Sequence, residues 1–542
     1  MTSRRARWAA LFLSLLAALL VAPALAVPAQ AVGGDPDADA DSPREVAEQA
    51  LETVQDLVEA PVTPADPATG SPVDGKDLTL ALRDLAVAQH ALPKSKRTVA
   101  ARLLARPDDS ASECFADGDL ACYGAHPTKR TCNAFVCVHW VSAGTNAIPT
   151  ENDGAGGAFP GTRGGLPDYV EFTLTTMTQI AVTYARAGYK KPVSDGTAGG
   201  SSLPDVYLGN VGNAGVYGYC TTDREVKGHV AAPAYCVLDN NYAEFGIAPR
   251  SALRVTAAHE YFHAVQFAYD VNEDAWIMEA TASWVEDEMY DGINDNRSYL
   301  PYGPLGRPSQ ALDAFSDQGA EPYGSWIFFR YLSERFPAST AGLPTIVLDI
   351  WRRLGSGGST DTGNVYSLQG LSGALAARGT NITAQLAWFA VWNRRPGVYE
   401  EGSAYRPAPV RRSFSLTSAT RTANAVFSLP RLSAGTYRWN RGKGAGSKIT
   451  FGINVNSKAI GGAAIVTIKR KNRNPTSTYL TLNANGDRTL SYAFGSTTQW
   501  IEVTVVSGDT RYRCWQGQDY QHTCQGTPVA SALRQVVTAK AS

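Results

Sequence analysis

The chain is poor in net charge. Its 49 lysines and arginines stand against 50 aspartates and glutamates, a formal charge of −1 at pH 7. It has no long basic run, so nothing electrostatic points to a nucleic-acid partner. Long apolar runs are also scarce: beyond the amino terminus none is long enough to span a bilayer. No G-x-S-x-G elbow occurs, which removes the most recognisable serine-hydrolase nucleophile. The glycine-rich "DGAGGAFPGTRGG" (153–165) lacks the Lys-Ser/Thr of a phosphate loop and reads as a surface loop. None of the eight cysteines forms a C-x-x-C pair, which argues against a cysteine-rich zinc site. Methionine is rare, 4 residues against 24 tyrosines and 11 tryptophans, the aromatic-hydroxyl balance of an extracellular surface.

What is present agrees with export. The chain opens "MTSRRARWAALFLSLLAALLVAPALAVPAQA". Basic Arg4, Arg5 and Arg7 precede a short apolar run, and small residues end at Ala26 and Ala31, so residues 1–31 read as a cleavable signal peptide. The cysteines fall in close pairs along the chain: Cys114 with Cys122, Cys132 with Cys137, Cys220 with Cys236, and Cys514 with Cys524. Sequential disulfides are the simplest expectation in an oxidising compartment. At 542 residues and 44% apolar content the chain can build more than one core.

Three regions follow the signal. Residues 32–112 begin acidic and Pro/Ala-rich, then carry helical patterns over "PREVAEQALETVQDLVEA", "LTLALRDLAVAQHALP" and "KSKRTVAARLLARPDD". Basic Lys94, Lys96 and Arg97 suit a propeptide with a processing site, and a retained helical region fits equally. Residues 113–405 mix helices, short strands and Gly-rich loops. From about 410 to 542 the pattern alternates, as in "KITFGINVN", "AAIVTIKRK" and "QWIEVTVVSG", which predicts an all-β, sandwich-like domain. Asn485-Gly486 between alternating runs predicts a hairpin turn.

The chemistry concentrates in "AAHEYFHAVQFAYD" (257–270). On a helix, residues four apart lie roughly 40° apart on one face and about 6 Å along the axis, so His259 and His263 can face one metal ion. Glu260 is turned by about 100°, where it can reach an activated water without filling the coordination shell. Composition alone gives H-E-x-x-H in a chain like this about 0.4% of the time. Catalytic zinc also needs a third protein ligand and an open position. A second helical pattern, "EDAWIMEATASWVEDEMYD" (273–291), offers Glu279 and, seven residues on, Glu286.

These residues carry a resemblance. "HEYFH" followed by "WIMEATA" resembles the gluzincin zinc peptidases, whose ligand Glu sits on the next helix. Their aminopeptidase branch reads W-x-x-E-x-x-A there, matched by Trp276, Glu279 and Ala282. The metzincin pattern fails, because Gln266 and Tyr269 stand where its Gly and third His belong. The resemblance implies a zincin-like α+β catalytic domain with zinc held by His259, His263 and Glu279. Glu260 would be the general base, and Glu286 the substitute ligand or the partner of a histidine. It also implies a tyrosine that donates to the oxyanion; Tyr323 in "EPYGSWIFFRYLSERF" fills the place, although Gly324 follows it directly and the gap from Glu279 is short. The substrate-amine motif G-x-M-E-N is absent, which favours internal cleavage over amino-terminal trimming. Zincins lay substrate along an edge strand before the active helix, here expected within 231–246. Residues 130–500 are similar in layout to an uncharacterised group of secreted bacterial metalloprotease-like proteins.

Two further expectations complete the reading. "LDNNY" (Asp239, Asn240, Asn241) and "DGINDNRSY" (Asp291, Asn294, Asp295, Asn296) group oxygen ligands that could hold structural Ca2+ or simply form solvated turns. The sequence thus predicts a secreted zinc metallopeptidase acting on peptide or protein substrates. The alternative is a non-catalytic secreted binding protein, whose β tail, with Trp515 and Tyr520, would grip a glycan or wall polymer beside a structural metal site.

Overall fold

A computed structural model describes residues 42–59, 78–110, 121–149, 165–316, 319–355, 365–513, 523–530 and 532–542. The signal-peptide stretch, Cys114, Cys514, Trp515 and Tyr520 lie outside the described residues.

The amino-terminal part is built around one five-stranded sheet. Its strands are β1 (Lys129–Cys132), β2 (Cys137–Trp140), β3 (Asp205–Gly209), β4 (Gly218–Thr221) and β5 (Tyr235–Asp239), in the order β1-β2-β3-β5-β4. The three inner strands are parallel, and β1 and β4 close the two edges in antiparallel register. Side chains alternate across the strands, and both faces are covered. Val206, Leu208, Cys236 and Leu238 face the main core. Tyr207, Tyr219, Tyr235 and Val237 face a second core, built with helices α1 (Pro43–Glu59), α2 (Leu78–Ala88) and α3 (Lys94–Leu103). Burial on both sides explains why the inner strands, "CVHW", "DVYLG" and "YCVLD", show no polar–apolar alternation.

The main core holds α4 (Asp168–Ala187), α5 (Pro249–Phe267) and α6 (Ala275–Tyr290). Pro249 starts α5, where its missing N–H costs nothing. From Val255 to Phe267 every residue of α5 is buried, and α6 is buried from Ala275 to Asp287, so neither shows an amphipathic stripe. Further on come α7 (Glu321–Gly324), α8 (Trp326–Arg335), a small ribbon of β6 (Ser339–Thr340) and β7 (Leu343–Pro344), α9 (Thr345–Leu354), α10 (Leu368–Ala376) and α11 (Ile382–Asn393).

The carboxy-terminal region is all β, as its alternation predicts. One sheet runs β13 (Thr476–Tyr479), β12 (Gly462–Arg470), β15 (Thr498–Ser507), β10 (Ser433–Arg441), β8 (Arg412–Leu416). The other runs β14 (Asp487–Ala493), β11 (Lys448–Asn454), β18 (Ala532–Ala541), β9 (Thr422–Pro430), and β16 (Tyr512–Arg513) pairs with β17 (Thr527–Pro528) apart from both. Trp439, Phe451, Val503 and Val537, drawn from both large sheets, share one core.

Two expectations are corrected here. The strand within 231–246 is β5, an inner strand; the edge before the active helix is β4. The Asn485-Gly486 turn joins no hairpin, because β13 pairs with β12 in one sheet and β14 with β11 in the other. Leu480 and Leu482 are buried on the way, so the chain crosses between the sheets. Disulfides Cys132–Cys137 and Cys220–Cys236 form as expected, while Cys122 and Cys524 are bonded to partners outside the described residues.

Candidate metal centre

Helices α5 and α6 pack side by side and bring three candidate ligands of two types together. One ligand atom from each of His259, His263 and Glu279 lies within 4.8 Å of the others, in a buried group. Glu279 Oε2 sits 3.1 Å from His259 Nε2, and Glu279 Oε1 sits 3.1 Å from His263 Nε2. Among the described residues this is the one cluster of three or more His, Cys, Asp or Glu side chains so arranged.

The other ring nitrogens are already engaged. His259 Nδ1 is 2.6 Å from Glu286 Oε1, and His263 Nδ1 is 2.7 Å from Gln266 Oε1. Gln266 is itself fixed, donating to the Met278 carbonyl and to Thr281 Oγ1 at 2.9 and 3.1 Å. These contacts hold the Nδ1 protons and aim both Nε2 lone pairs at the shared point. Gln266, which breaks the metzincin pattern, is thus the orienter of His263.

Two observations test whether a cation fits. His263 Nε2 and Glu279 Oε1 are buried and only 3.1 Å apart, yet they are not aligned as a hydrogen bond and neither has another partner. Such atoms are costly unless something coordinates them. The electrostatics agree: burial drives His259 down, but the carboxylates of Glu279 and Glu286 outweigh it and hold its pKa well above the ordinary value. Burial raises Glu279, and the two imidazoles pull it below the usual carboxylate range. The cluster draws positive charge, which a divalent ion would supply in place of a proton. The donor set fits a metal ion.

Glu260 stands beside the cluster, 6% exposed, with burial raising its pKa. Together with Tyr217, Gly218, His259, Asp295 and Tyr323 it lines a pocket of about 60 Å3. Tyr323 stacks on His259, ring centroids 6.0 Å apart, and on Tyr299 at 5.1 Å. The close approach depends on glycine: a Cβ on Gly324 would lie 2.5 Å from Gly303 N and 2.6 Å from the Tyr299 carbonyl oxygen. Hence Gly324 directly follows the tyrosine.

The structure therefore places His259, Glu260 and Tyr323 on one pocket, which Glu286 also lines, and buries His263 and Glu279 in the cluster with His259. Sequence reading missed Gln266, which helix spacing three residues after His263 could have revealed. It also missed Tyr217, Tyr299 and Thr79, which no local signal marks. The calcium reading finds no support. The Asp239 carboxylate accepts the N–H groups of Gly212, Asn241 and Tyr242, and Asn296 is bonded to Asp287.

No family model matches the chain, and no curated protein matches it. Among solved structures, the pre-peptidase C-terminal domain of a collagenase from Bacillus anthracis aligns at 13% identity and TM-score 0.16, over 25% of this chain and 100% of that one. A periplasmic inhibitor of g-type lysozyme from Aeromonas hydrophila aligns at 8% and 0.14, over 24% and 98%. A surface-associated copper-binding protein of Methylomicrobium album BG8 aligns at 8% and 0.15, over 24% and 98%. At such scores the likenesses carry no argument.

Proposed function

We propose that this protein is a secreted zinc-dependent endopeptidase with a zincin-like catalytic region. The observation that carries the reading is the convergence of His259, His263 and Glu279 in one buried cluster, with His259 and Glu260 lining the adjoining pocket. A purely structural metal site has no use for a carboxylate at that place. Two imidazoles and one carboxylate are a donor set of catalytic zinc. When bound, Zn2+ polarises a scissile carbonyl and lowers the pKa of water toward about 7.

The protein's own groups supply the rest. Glu260 takes the proton of the attacking water and returns it to the leaving amine. Tyr323, which also lines the pocket, donates its phenol proton toward the carbonyl oxygen as charge develops there. Substrate would lie extended beside β4. Residues 217, 219 and 221 bond inward to β5, as the Asp239 N–H to Tyr217 carbonyl contact shows. Gly218 therefore turns its own N–H and carbonyl outward, next to Glu260. A chain bound along an edge is cut internally, in keeping with the missing amine-binding motif.

The test is cleavage of a mixed unfolded proteome by the zinc-loaded protein and by its Glu260→Gln variant, with new termini read by mass spectrometry. Internal cuts are expected from the parent and none from the variant, with metal content equal. Equal cutting by both would remove Glu260 from the mechanism. No cutting by either, with zinc bound, would overturn the peptidase reading.

A further inference from the structure

Helix α2 belongs to the segment that the sequence reads equally as a removable leader or a retained region. Its Thr79 is 3% exposed, and the hydroxyl has two partners. The backbone N–H of Cys220 donates to Thr79 Oγ1 at 3.0 Å, and Thr79 Oγ1 lies 3.0 Å from Glu260 Oε2. The direction of the second bond follows from the inventory of protons. An amide N–H only donates, a hydroxyl carries one proton, and a carboxylate only accepts. Thr79 therefore gives its proton to Glu260 Oε2, which fixes the orientation of the carboxylate. The same hydroxyl covers the outward N–H of Cys220 on the edge strand, so that backbone pairing with a substrate is confined to the Gly218 end.

The helix is anchored where a removable plug would not be. Arg83, one turn after Thr79 and 3% exposed, donates to the carbonyls of Val271 and Glu273 at 3.2 and 2.7 Å. Those two residues lie in the turn joining the two ligand helices. Arg106, just past α3, contacts Asp195, Asp205 and Asp223 at 2.5, 2.6 and 2.8 Å. Removing residues up to this point would strip one whole face of the catalytic sheet and leave buried carboxylates without their cation.

Resting on the peptidase reading, we propose that Thr79 is a positioning residue that fixes the Glu260 carboxylate for proton transfer, and that its helix is a permanent wall of the site.

The experiment compares the full secreted protein, zinc-loaded, with its Thr79→Val, Thr79→Ser and Glu260→Gln variants on one quenched-fluorescent peptide containing a site that the parent cuts. The amino terminus of the active parent is sequenced alongside. Thr79→Val should lower kcat about ten-fold or more, with KM and zinc content unchanged, and Thr79→Ser should recover it to within about two-fold. Sequencing should place the mature terminus before Thr79. A parental kcat in Thr79→Val, a loss that follows zinc loss, or an active form that begins beyond Thr79 would each overturn the proposal. If the parent is as silent as Glu260→Gln, the peptidase reading itself fails and the role of Thr79 falls with it, an outcome distinct from the others.

Discussion

Glu286 touches His259 from behind the metal-facing side, at 2.6 Å from Nδ1, and burial pushes its carboxyl up to about 8. Its work is to hold the imidazole, and partners of that kind typically account for 10- to 100-fold in metal affinity. Glu286→Gln should therefore weaken zinc binding by about that factor, read by competition with a chelating dye, while Glu279→Ala should abolish it. Retention of full affinity in Glu279→Ala, with loss in Glu286→Gln, would exchange the two roles. Tyr323 acts on a different quantity. Tyr323→Phe preserves the stacks on His259 and Tyr299 and removes only the hydroxyl, so kcat should fall by roughly 10²- to 10³-fold with KM little changed. An unchanged kcat would pass the oxyanion role to another group at the pocket.

At the scale of elements, the site depends on how closely β4 approaches α5. Gly218 sets that distance. A Cβ there would lie 2.8 Å from the Val237 carbonyl oxygen, 3.0 Å from Thr256 Cγ2 and 3.2 Å from Glu260 Cγ. Gly218→Ala should push the edge strand off the helix and lower kcat/KM by about ten-fold or more, with zinc content intact; parental activity would mean that substrate does not run along this edge. The same scale shows what the sequence could and could not disclose. Glu279 on the next helix was singled out from Glu286 by the resemblance to gluzincins, whereas the spacing of His259, Glu260 and His263 is a property of one helix turn, so local periodicity reached those three. The β tail was legible for the same reason, since alternation is local. Strand pairing is not. Nothing in residues 231–246 says that β4, a short strand from 218–221, takes the edge outside β5. Nothing in the Asn485-Gly486 turn says that its flanking strands join different sheets. Thr79 reaches Glu260 across 181 residues, a distance over which composition and spacing are silent.

At the scale of the molecule, the β region is tied to the helical region by ion pairs at two buried carboxylates, Asp313 with Arg431 and Glu502 with its arginines. Helix α11 lies against β10, β12 and β15, and Arg394 and Arg395 at its end meet Glu502 of β15 at 2.9 and 2.7 Å. Arg438 of β10 joins them at 2.6 Å. Glu502 is 1% exposed. Burial raises its pKa, but Arg394 and Arg395 outweigh burial and hold it below the ordinary 4.5. A carboxyl with a depressed folded pKa stabilises the fold at any pH above its unfolded value, and that contribution is lost as pH falls through the folded one. Stability should thus hold near neutrality and decline below pH 4.5. Glu502→Gln keeps the shape and removes the charge. It should cost about 2–4 kcal/mol at pH 7, less than for a fully buried ion pair because Arg395 and Arg438 keep some solvent contact. It should also flatten the acid limb of the curve, because the variant has no proton left to gain there. Denaturant titrations of parent and variant at pH 7 and pH 4 measure both effects. A variant as stable as the parent at neutral pH would show that the Glu502 cluster adds nothing to the junction, leaving it to apolar packing and to the Asp313–Arg431 pair.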